Sequence, residues 1–310
     1  TLYAAKWIQT SDANGGRALI DWVSLGHTDN ATVKSVINKD LSFSDVFDTD
    51  TPVDQACTDN SFTYTASFDE CLKVKDIDGV NGIDAVDNAI ASRLETRRYA
   101  TMMGATLEFR KEDGITYDAD NNKVYVAMSA IERGMEDGAS QDLGGNNDIR
   151  LPKNSCGAVY AMDVLPVRGV DTGGNAIDSR FVVGNMNAII TGTPDTSVAN
   201  NACDVNGISN PDNVAYLQGS DVLVIGEDTS KHENNMIWAL NVNSNELTRM
   251  MTTPLDAETT SPFWYRDVNG FGYMTAVAQH PMDDVTDATS DEKQSEVGVI
   301  GPINFTQLQK

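Results

Sequence analysis

The chain has 310 residues, of which 46 are acidic and 22 are basic, so its formal charge is −24. A surface with this much negative charge repels phosphate backbones, and we therefore exclude a DNA- or RNA-binding protein. No apolar run approaches the roughly 18 residues of a membrane-spanning helix, so we expect no membrane span. The 24 glycines and the many Asn, Asp, Ser and Thr residues are typical of a turn-rich β protein.

The chain begins directly with a predicted strand, residues 1–7, with no initiator methionine and no signal peptide before it. Either processing has removed an upstream segment, or the chain is the C-terminal part of a longer polypeptide. The repeats described below favour the second interpretation.

Four cysteines, Cys57, Cys71, Cys156 and Cys203, occur without a Cys-x-x-Cys motif, and three pairings are possible. A Cys57–Cys71 bond would close a short acidic loop, and a Cys156–Cys203 bond would join two distant segments. Four unrelated buried thiols are the alternative. In an acidic, exported chain, disulfides are favoured over free thiols.

Two segments do not fit a pattern of strands. Residues 84–103 place apolar side chains at helical spacing, start with Asp residues and precede a glycine, which predicts one inserted amphipathic helix. Residues 130–155 are rich in Gly, Asn and Asp and predict a long loop, a kind of segment that is usually functional or disordered.

Short β-rich runs repeat along the chain, which points to a repeat architecture. The first unit has predicted strands at 114–118, 123–128, 158–164 and 180–183. The second unit has them at 213–217, 222–226, 236–242 and 247–251. A third unit begins with 262–265 and 271–277.

Four short antiparallel strands in a repeated order are typical of a β-propeller blade. We predict an all-β fold, a partial β-propeller with about three visible blades, one inserted helix and long loops. Residues 1–310 would form a single propeller domain or the C-terminal half of one. A β-sandwich with coincidentally similar strands is the alternative. Because propellers close with about four to eight blades, we expect a missing N-terminal portion or a second chain to complete the ring.

Polar side chains precede the first strand of each unit. Residues 110–113 stand before one first strand and residues 210–213 before the next. In a propeller these positions converge at the mouth of the central channel, where like charges are costly unless a cation lies among them. Oxygen ligands from Asp, Glu and Asn suit Ca²⁺ and other hard cations. The pattern predicts a metal site, although Pro-Asp-Asn is also an ordinary turn sequence.

A collinear series of segments resembles the PhoX-type alkaline phosphatases, in which a helix ending in Gly-Ala-Thr leads to Arg-Pro-Glu and a pair of strands. The segments cover most of the chain: 97–100, 104–106, 110–115, 124–127, 145–148, 156–160, 210–214, 226–229, 232–235, 258–262 and 279–281. The strand at 2–7 also looks like a family strand that falls in mid-protein. The resemblance implies a secreted, largely β-propeller phosphomonoesterase with ferric and calcium ions in its channel.

The resemblance also implies roles for individual residues. Glu112 and Asp212 correspond to metal ligands, and Arg110 corresponds to the arginine that binds phosphate. Lys111 replaces the family's proline. The internal repeat aligns Asp113, rather than Glu112, with Asp212; we prefer Glu112 on the family register and keep Asp113 as the second choice. Neighbouring motifs suggest further metal ligands and a substrate-binding amide: Asp148, Glu227, Asp228 and Asn235.

Three functions are compatible with these observations. The first is a secreted phosphatase that uses Ca²⁺ and Fe³⁺ to hydrolyse phosphate monoesters. The second is a non-catalytic, calcium-stabilised propeller that acts as a surface or interaction module; Lys111 and the absence of the family's N-terminal ligands, including an iron-binding Cys, favour it. The third is a related propeller hydrolase that acts on phosphodiesters or lactones.

Overall fold

A computed structural model of the chain describes residues 1–80, 82–142 and 147–304. Its strands are β1 (Tyr3–Ser11), β2 (Arg17–Ser24), β3 (Phe47–Asp50), β4 (Thr63–Thr65), β5 (Glu70–Val74), β6 (Glu112–Asp118), β7 (Lys123–Met128), β8 (Ala158–Asp163), β9 (Asn185–Thr191), β10 (Pro211–Leu217), β11 (Val222–Glu227), β12 (Asn234–Asn241), β13 (Leu247–Leu255), β14 (Glu258–Val268), β15 (Phe271–Gln279) and β16 (Glu296–Ile303). Its α-helices are α1 (Asn30–Ile37), α2 (Phe43–Val46), α3 (Ala85–Leu94) and α4 (Thr96–Met102).

The described strands form antiparallel sheets, and the predicted all-β class is confirmed. The first sheet has the order β1-β2-β9-β8-β7-β6, the second β10-β11-β12-β13 and the third β14-β15-β16, while a small sheet has the order β3-β5-β4. In the first three sheets, the strands of each repeat unit pair with one another in chain order and antiparallel, as in a propeller blade. The hairpin β1-β2 widens the first sheet by pairing with β9. The number of blades stays a prediction.

The three repeat sheets stack face to face. Tyr125 and Val159 of the first sheet pack against Leu223 and Trp238 of the second. The other face of the second sheet packs against Met274 and its neighbours in the third. The first strands therefore come together, with β10 between β6 and β14.

The fourth strand of the first unit differs from the prediction. Residues 180–183 form no strand, and β9 covers Asn185–Thr191 instead. The register of β8 is the reason, since Ala158 pairs with Thr191 and Ala161 with Asn187. Of the predicted strand at 180–183, Val183 alone pairs with a described residue, through an isolated β-bridge with Val164.

The segment 84–103 forms two helices rather than the one predicted. Helices α3 and α4 are separated at Glu95, whose φ of −131° and ψ of 54° are not helical. Asp84 caps α3 by accepting hydrogen bonds from Val86 N and Asp87 N. Both helices pack on the small sheet and β2, so tertiary contacts stabilise a break that the apolar spacing does not reveal.

The long segment 130–155 is packed where the structure describes it. Ile131, Met135, Ile149 and Leu151 are buried and cover part of the outer face of the first sheet. Gly145 and Asn146, which belong to one of the segments of the family resemblance, lie outside the described residues.

The structure selects one of the three possible cysteine pairings. Cys57 bonds to Cys71 and Cys156 to Cys203, with Cα–Cα distances of 5.7 and 6.1 Å. The alternative of free thiols is excluded because all four cysteines are paired. Two disulfides fit a protein from an oxidising compartment. Within the described ranges, no helix has the length and apolar character required to cross a membrane.

Candidate metal and phosphate site

Acidic side chains from the three repeat sheets meet at one end of the stack. Asp113 is the second residue of β6, Asp212 is the second residue of β10, and Glu258 is the first residue of β14. Because the second strand of each sheet runs antiparallel to the first, its last residue lies at the same end. Asp228 directly follows β11, and His280 directly follows β15. We call Asp113, Asp212, Asp228 and Glu258 the carboxylate cluster.

Direct contacts connect these side chains across the sheets. Ser129, which follows β7, donates a hydrogen bond from Oγ to Asp113 Oδ2 at 2.5 Å. The charge of Asp113 acts on the Asp212 carboxyl group, and the charge of Asp228 acts on that of Glu258, so each pair is close in space. His280 Nε2 lies 3.3 Å from Glu258 Oε1. One polar chain therefore runs from the first sheet to the third.

The concentration of negative charge perturbs two of the carboxyl groups. The pKa of Asp212 is raised to about 6, mainly by burial and also by the charges of Asp113 and Asp228. Burial also raises the pKa of Glu258, with Asp228 adding to the effect and His280 opposing it. Both groups are destabilised as anions, which is the condition under which a bound cation is stabilising.

One cationic side chain lies within this cluster. Lys111 Nζ is 3.4 Å from Asp228 Oδ2 and 4.0 Å from Asp113 Oδ2. An ammonium group thus stands in for a cation between carboxylates of two sheets. The donor set is carboxylate oxygen with one imidazole, which suits hard cations such as Ca²⁺. The donor types suit a hard cation, although among the described residues three carboxylate oxygens lie within 4.8 Å of one another only at Asp76, Asp78 and Asp87.

The structure brings Asp113, and not Glu112, next to Asp212. Successive side chains of a strand point to opposite faces, and the Glu112 carboxyl lies instead in an open apolar cavity of about 330 Å³ beside Trp22, Phe109 and Ile115. The apolar surroundings raise the pKa of Glu112. The geometry thus follows the register of the internal repeat rather than the family register.

Glu227 and Asn235 lie in the interior instead of the cluster. The Glu227 carboxylate accepts hydrogen bonds from Ser209 N, Met236 N, Trp238 Nε1 and His232 Nδ1. Asn235 exchanges two hydrogen bonds with the backbone of Thr229. Both side chains therefore shape the turn that carries Asp228, and their polar atoms are already used within the protein.

Asp148 also has other partners. It pairs with Lys6 at 3.3 Å and accepts a hydrogen bond from Thr106 Oγ1 at 2.6 Å. Lys6 Nζ in turn donates to Gly104 O at 2.9 Å. These contacts join β1 to the segments before β6 and β8 and include no member of the carboxylate cluster.

Arg110 stands immediately before Lys111 at the entrance to β6. Its Nε is buried and, among the described residues, has no hydrogen-bond partner. An ordinary ion pair with Glu108 or Glu112 is not formed within the described part of the chain. The Glu108 carboxylate instead accepts hydrogen bonds from the N–H groups of Asp148 and Ile149, each at 2.9 Å. Burial raises the pKa of Glu108 to about 7.

Sequence reasoning missed Glu258 and His280 as members of the site. The third unit was predicted to begin at residue 262, whereas β14 begins four residues earlier, at Glu258. The repeat contained the signal, because Glu258 starts a first strand as Asp212 does, and His280 follows a second strand as Asp228 does. Ser129 occupies the latter position in the first unit.

A second acidic group lies apart from this site in the sequence, at the start of α3. Carboxylate oxygens of Asp76, Asp78 and Asp87 lie within 4.8 Å of one another and could hold a metal ion. The buried Asp87 carboxylate already accepts hydrogen bonds from Ile77 N, Asp78 N and Asp84 N. It therefore serves as a cap of this loop and helix in addition to any ligand role.

No protein-family model and no curated protein matches the chain. Among solved structures, it is similar to Pseudomonas fluorescens PhoX in complex with vanadate, a transition-state analogue, with a TM-score of 0.55 and 15% sequence identity. The similarity covers 98% of this chain and 44% of the PhoX chain, so this chain spans less than half the length of that protein. At this identity the similarity concerns the fold. The chain therefore shares its fold with part of PhoX, as the resemblance of its sequence segments implied.

Proposed function

We propose that the protein is a metal-dependent phosphatase that hydrolyses phosphate monoesters at the carboxylate cluster. The observation that carries this proposal is the convergence of four carboxylates from three sheets at one end of the stack, within a fold shared with PhoX. Multivalent cations would stabilise a cluster of this kind as a set of anions, and they are also what a phosphate ester needs for charge neutralisation.

Asp113, Asp212, Asp228 and Glu258 would hold the metal, with His280 as an additional ligand. Ca²⁺ is the first candidate because the donors are mainly carboxylate oxygens. Fe³⁺ also accepts oxygen ligands, but no thiolate is available to it, since all four cysteines are in disulfides. When bound, such cations supply electrostatic stabilisation of phosphate oxygens and activate an oxygen nucleophile.

Arg110 would bind the non-bridging oxygens of the phosphate. A guanidinium group offers paired donors that match phosphate geometry. The absence of an internal partner for its buried Nε supports this role, because a guanidinium committed to a structural ion pair would not be available to a substrate. Ser129 and Asn213 would hold Asp113 and Asp212 in place, since each donates a hydrogen bond to its carboxylate.

The remaining part of the site would come from outside this chain. Because the similarity to PhoX covers 44% of that protein, an N-terminal portion or a second chain would complete the propeller and add further ligands. We also propose secretion to the periplasm or the cell exterior, where disulfides persist. A mass determination on the native protein tests the first point; a species of this chain alone would contradict it.

The test of the proposed function is hydrolysis of a generic phosphate monoester at alkaline pH, with Ca²⁺, with Fe³⁺ and with chelator. We expect calcium-dependent turnover that Asp212→Asn reduces at least tenfold together with calcium retention. The matched control is Asp178→Asn, which removes the same charge from a carboxylate that is 91% exposed and pairs only with Arg168 among the described residues. Equal losses in both variants would argue against the assigned site.

Lys111 favours one alternative, a non-catalytic calcium-stabilised surface or interaction module. An ammonium group among the carboxylates already neutralises part of their charge, as a structural site requires. Calcium binding without iron, and without turnover of monoesters, phosphodiesters or lactones, would support this alternative over the phosphatase.

A further inference from the structure

We propose that Lys111 is an internal counter-ion of the metal-free site, and that its ammonium group leaves the carboxylate cluster when a divalent cation binds. The inference rests on the proposed metal site and adds a regulatory element to it. Metal binding would then be an exchange of one cation for another rather than the filling of an open position.

The position of the ammonium group is the first reason. Lys111 Nζ lies near Asp228 Oδ2 and Asp113 Oδ2, which belong to different sheets. A divalent cation that uses these two oxygens would have to occupy the same space. Two cations so close would repel each other strongly in a partly buried site.

The surroundings of Lys111 allow the exchange. Its side chain is 40% exposed, so the ammonium group can move into water without crossing the protein interior. Its backbone is held in place, because Lys111 O accepts a hydrogen bond from Ser129 N at 3.1 Å. Rotation of the side chain alone is therefore sufficient, and the strand β6 that carries Asp113 does not have to move.

The charge balance predicts opposite effects on the two states. Four carboxylates and one ammonium group leave three formal negative charges in the metal-free cluster, and removal of Lys111 leaves four. The metal-free protein would lose an attraction between two sheets. The metal-bound protein would lose only a nearby positive charge, so its affinity for the metal would increase.

The experiment compares the 310-residue chain with Lys111→Met by calorimetric titration of Ca²⁺ after chelator treatment, together with thermal unfolding. We expect a Kd for Ca²⁺ about tenfold lower in the variant, a lower Tm without Ca²⁺ and a larger increase in Tm on addition of Ca²⁺. Lys111→Arg, which keeps the charge, should stay within about twofold of the original Kd.

The matched control is Lys153→Met. Lys153 also lies between two carboxylates, 3.9 Å from Glu132 and 3.6 Å from Glu136, outside the cluster. Its removal should leave the Kd unchanged. An unchanged or weaker affinity in Lys111→Met, with normal calcium binding by the original chain, would overturn the role of Lys111 alone. If neither the original chain nor the complete native protein showed calcium binding that depends on Asp212, the proposed metal site itself would be wrong and the exchange with it.

Discussion

Substitution of Glu227, whose carboxylate is buried, distinguishes a structural role for this residue from a metal-binding role. The sequence suggested a metal ligand, whereas the structure surrounds this group with donors from Ser209, His232, Met236 and Trp238. We expect Glu227→Gln and Glu227→Ala to destabilise the fold while the folded protein keeps its calcium affinity.

The size of the effect follows from the contacts. The Glu227 carboxylate accepts from three N–H groups and also lies 3.0 Å from His232 Nδ1. Glu227→Ala leaves these buried groups without their partner, and each unsatisfied buried donor costs about 1–3 kcal/mol.

The glutamine variant has a smaller expected cost. Its carbonyl oxygen can still accept from Ser209 N and Trp238 Nε1, and its amide group stays within reach of His232 Nδ1. Met236 N–H loses its acceptor, and one unsatisfied buried donor costs about 1–3 kcal/mol.

Urea unfolding in chelator and calorimetric titration of Ca²⁺ measure the two properties separately. We expect the free energy of unfolding to fall in the order original chain, Glu227→Gln, Glu227→Ala, with the Kd of Glu227→Gln unchanged. A Glu227→Gln variant with the original stability and a strongly weakened calcium affinity would refute this reasoning and restore Glu227 as a ligand.

Three further predictions concern the scaffold around the site. Replacing both cysteines of the Cys156–Cys203 bond by serine should lower the free energy of unfolding by about 4 kcal/mol, against about 3 kcal/mol for the Cys57–Cys71 bond, because the closed loops span 47 and 14 residues. Chemical denaturation measures both losses, and a reversed order would contradict the loop-entropy explanation. Gly114→Ala should lower the free energy of unfolding by about 2–4 kcal/mol and weaken calcium binding, because a Cβ there would lie 2.8 Å from Val214 N and closer still to Asp212 O. The control is Gly298→Ala, where a Cβ has ordinary space. Equal stability of the two variants would be inconsistent with the close approach of β6 and β10. Glu108 has a folded-state pKa of about 7 against an ordinary 4.5, so between these pH values the native state binds a proton that the unfolded state has lost. The free energy of unfolding should therefore fall by about 1–2 kcal/mol as the pH rises from 4.5 to 7, after allowance for partial exposure. Denaturation of Glu108→Gln over this pH range should lack the fall, and the same dependence of stability on pH in both proteins would exclude Glu108 as its source.

Much of the fold could be predicted because local signals and tertiary structure agree. The repeated apolar runs of β6, β7, β10 and β11 match their pairing in the sheets, since a buried strand needs apolar residues on the faces that it covers. The even number of cysteines in an acidic chain favoured disulfides, but only the structure selected the pairing among the three possibilities. The fourth strand of the first unit was misplaced because residues 180–183 are as suitable for a strand as 185–191, and only the register of β8 selects between them.

The site was predicted in part for a similar reason. Asp113, Asp212 and Asp228 occupy repeated positions, and equivalent positions in stacked sheets come together in space. Glu112 and Glu227 are acidic neighbours of these residues, and a motif alone does not tell which of two adjacent carboxylates faces the cluster. The tertiary structure decides, since it places Glu112 against an apolar cavity and buries Glu227 in the interior.

The amino-acid sequence by itself determined the β class, the repeat units and the acidic character of the strand ends. The tertiary structure alone decided which carboxylates meet, that Glu258 and His280 join them from the third sheet, and that Lys111 lies among them. Local patterns record what each segment prefers, but the distance between charges from different sheets depends on how the sheets stack, and that is a property of the whole fold.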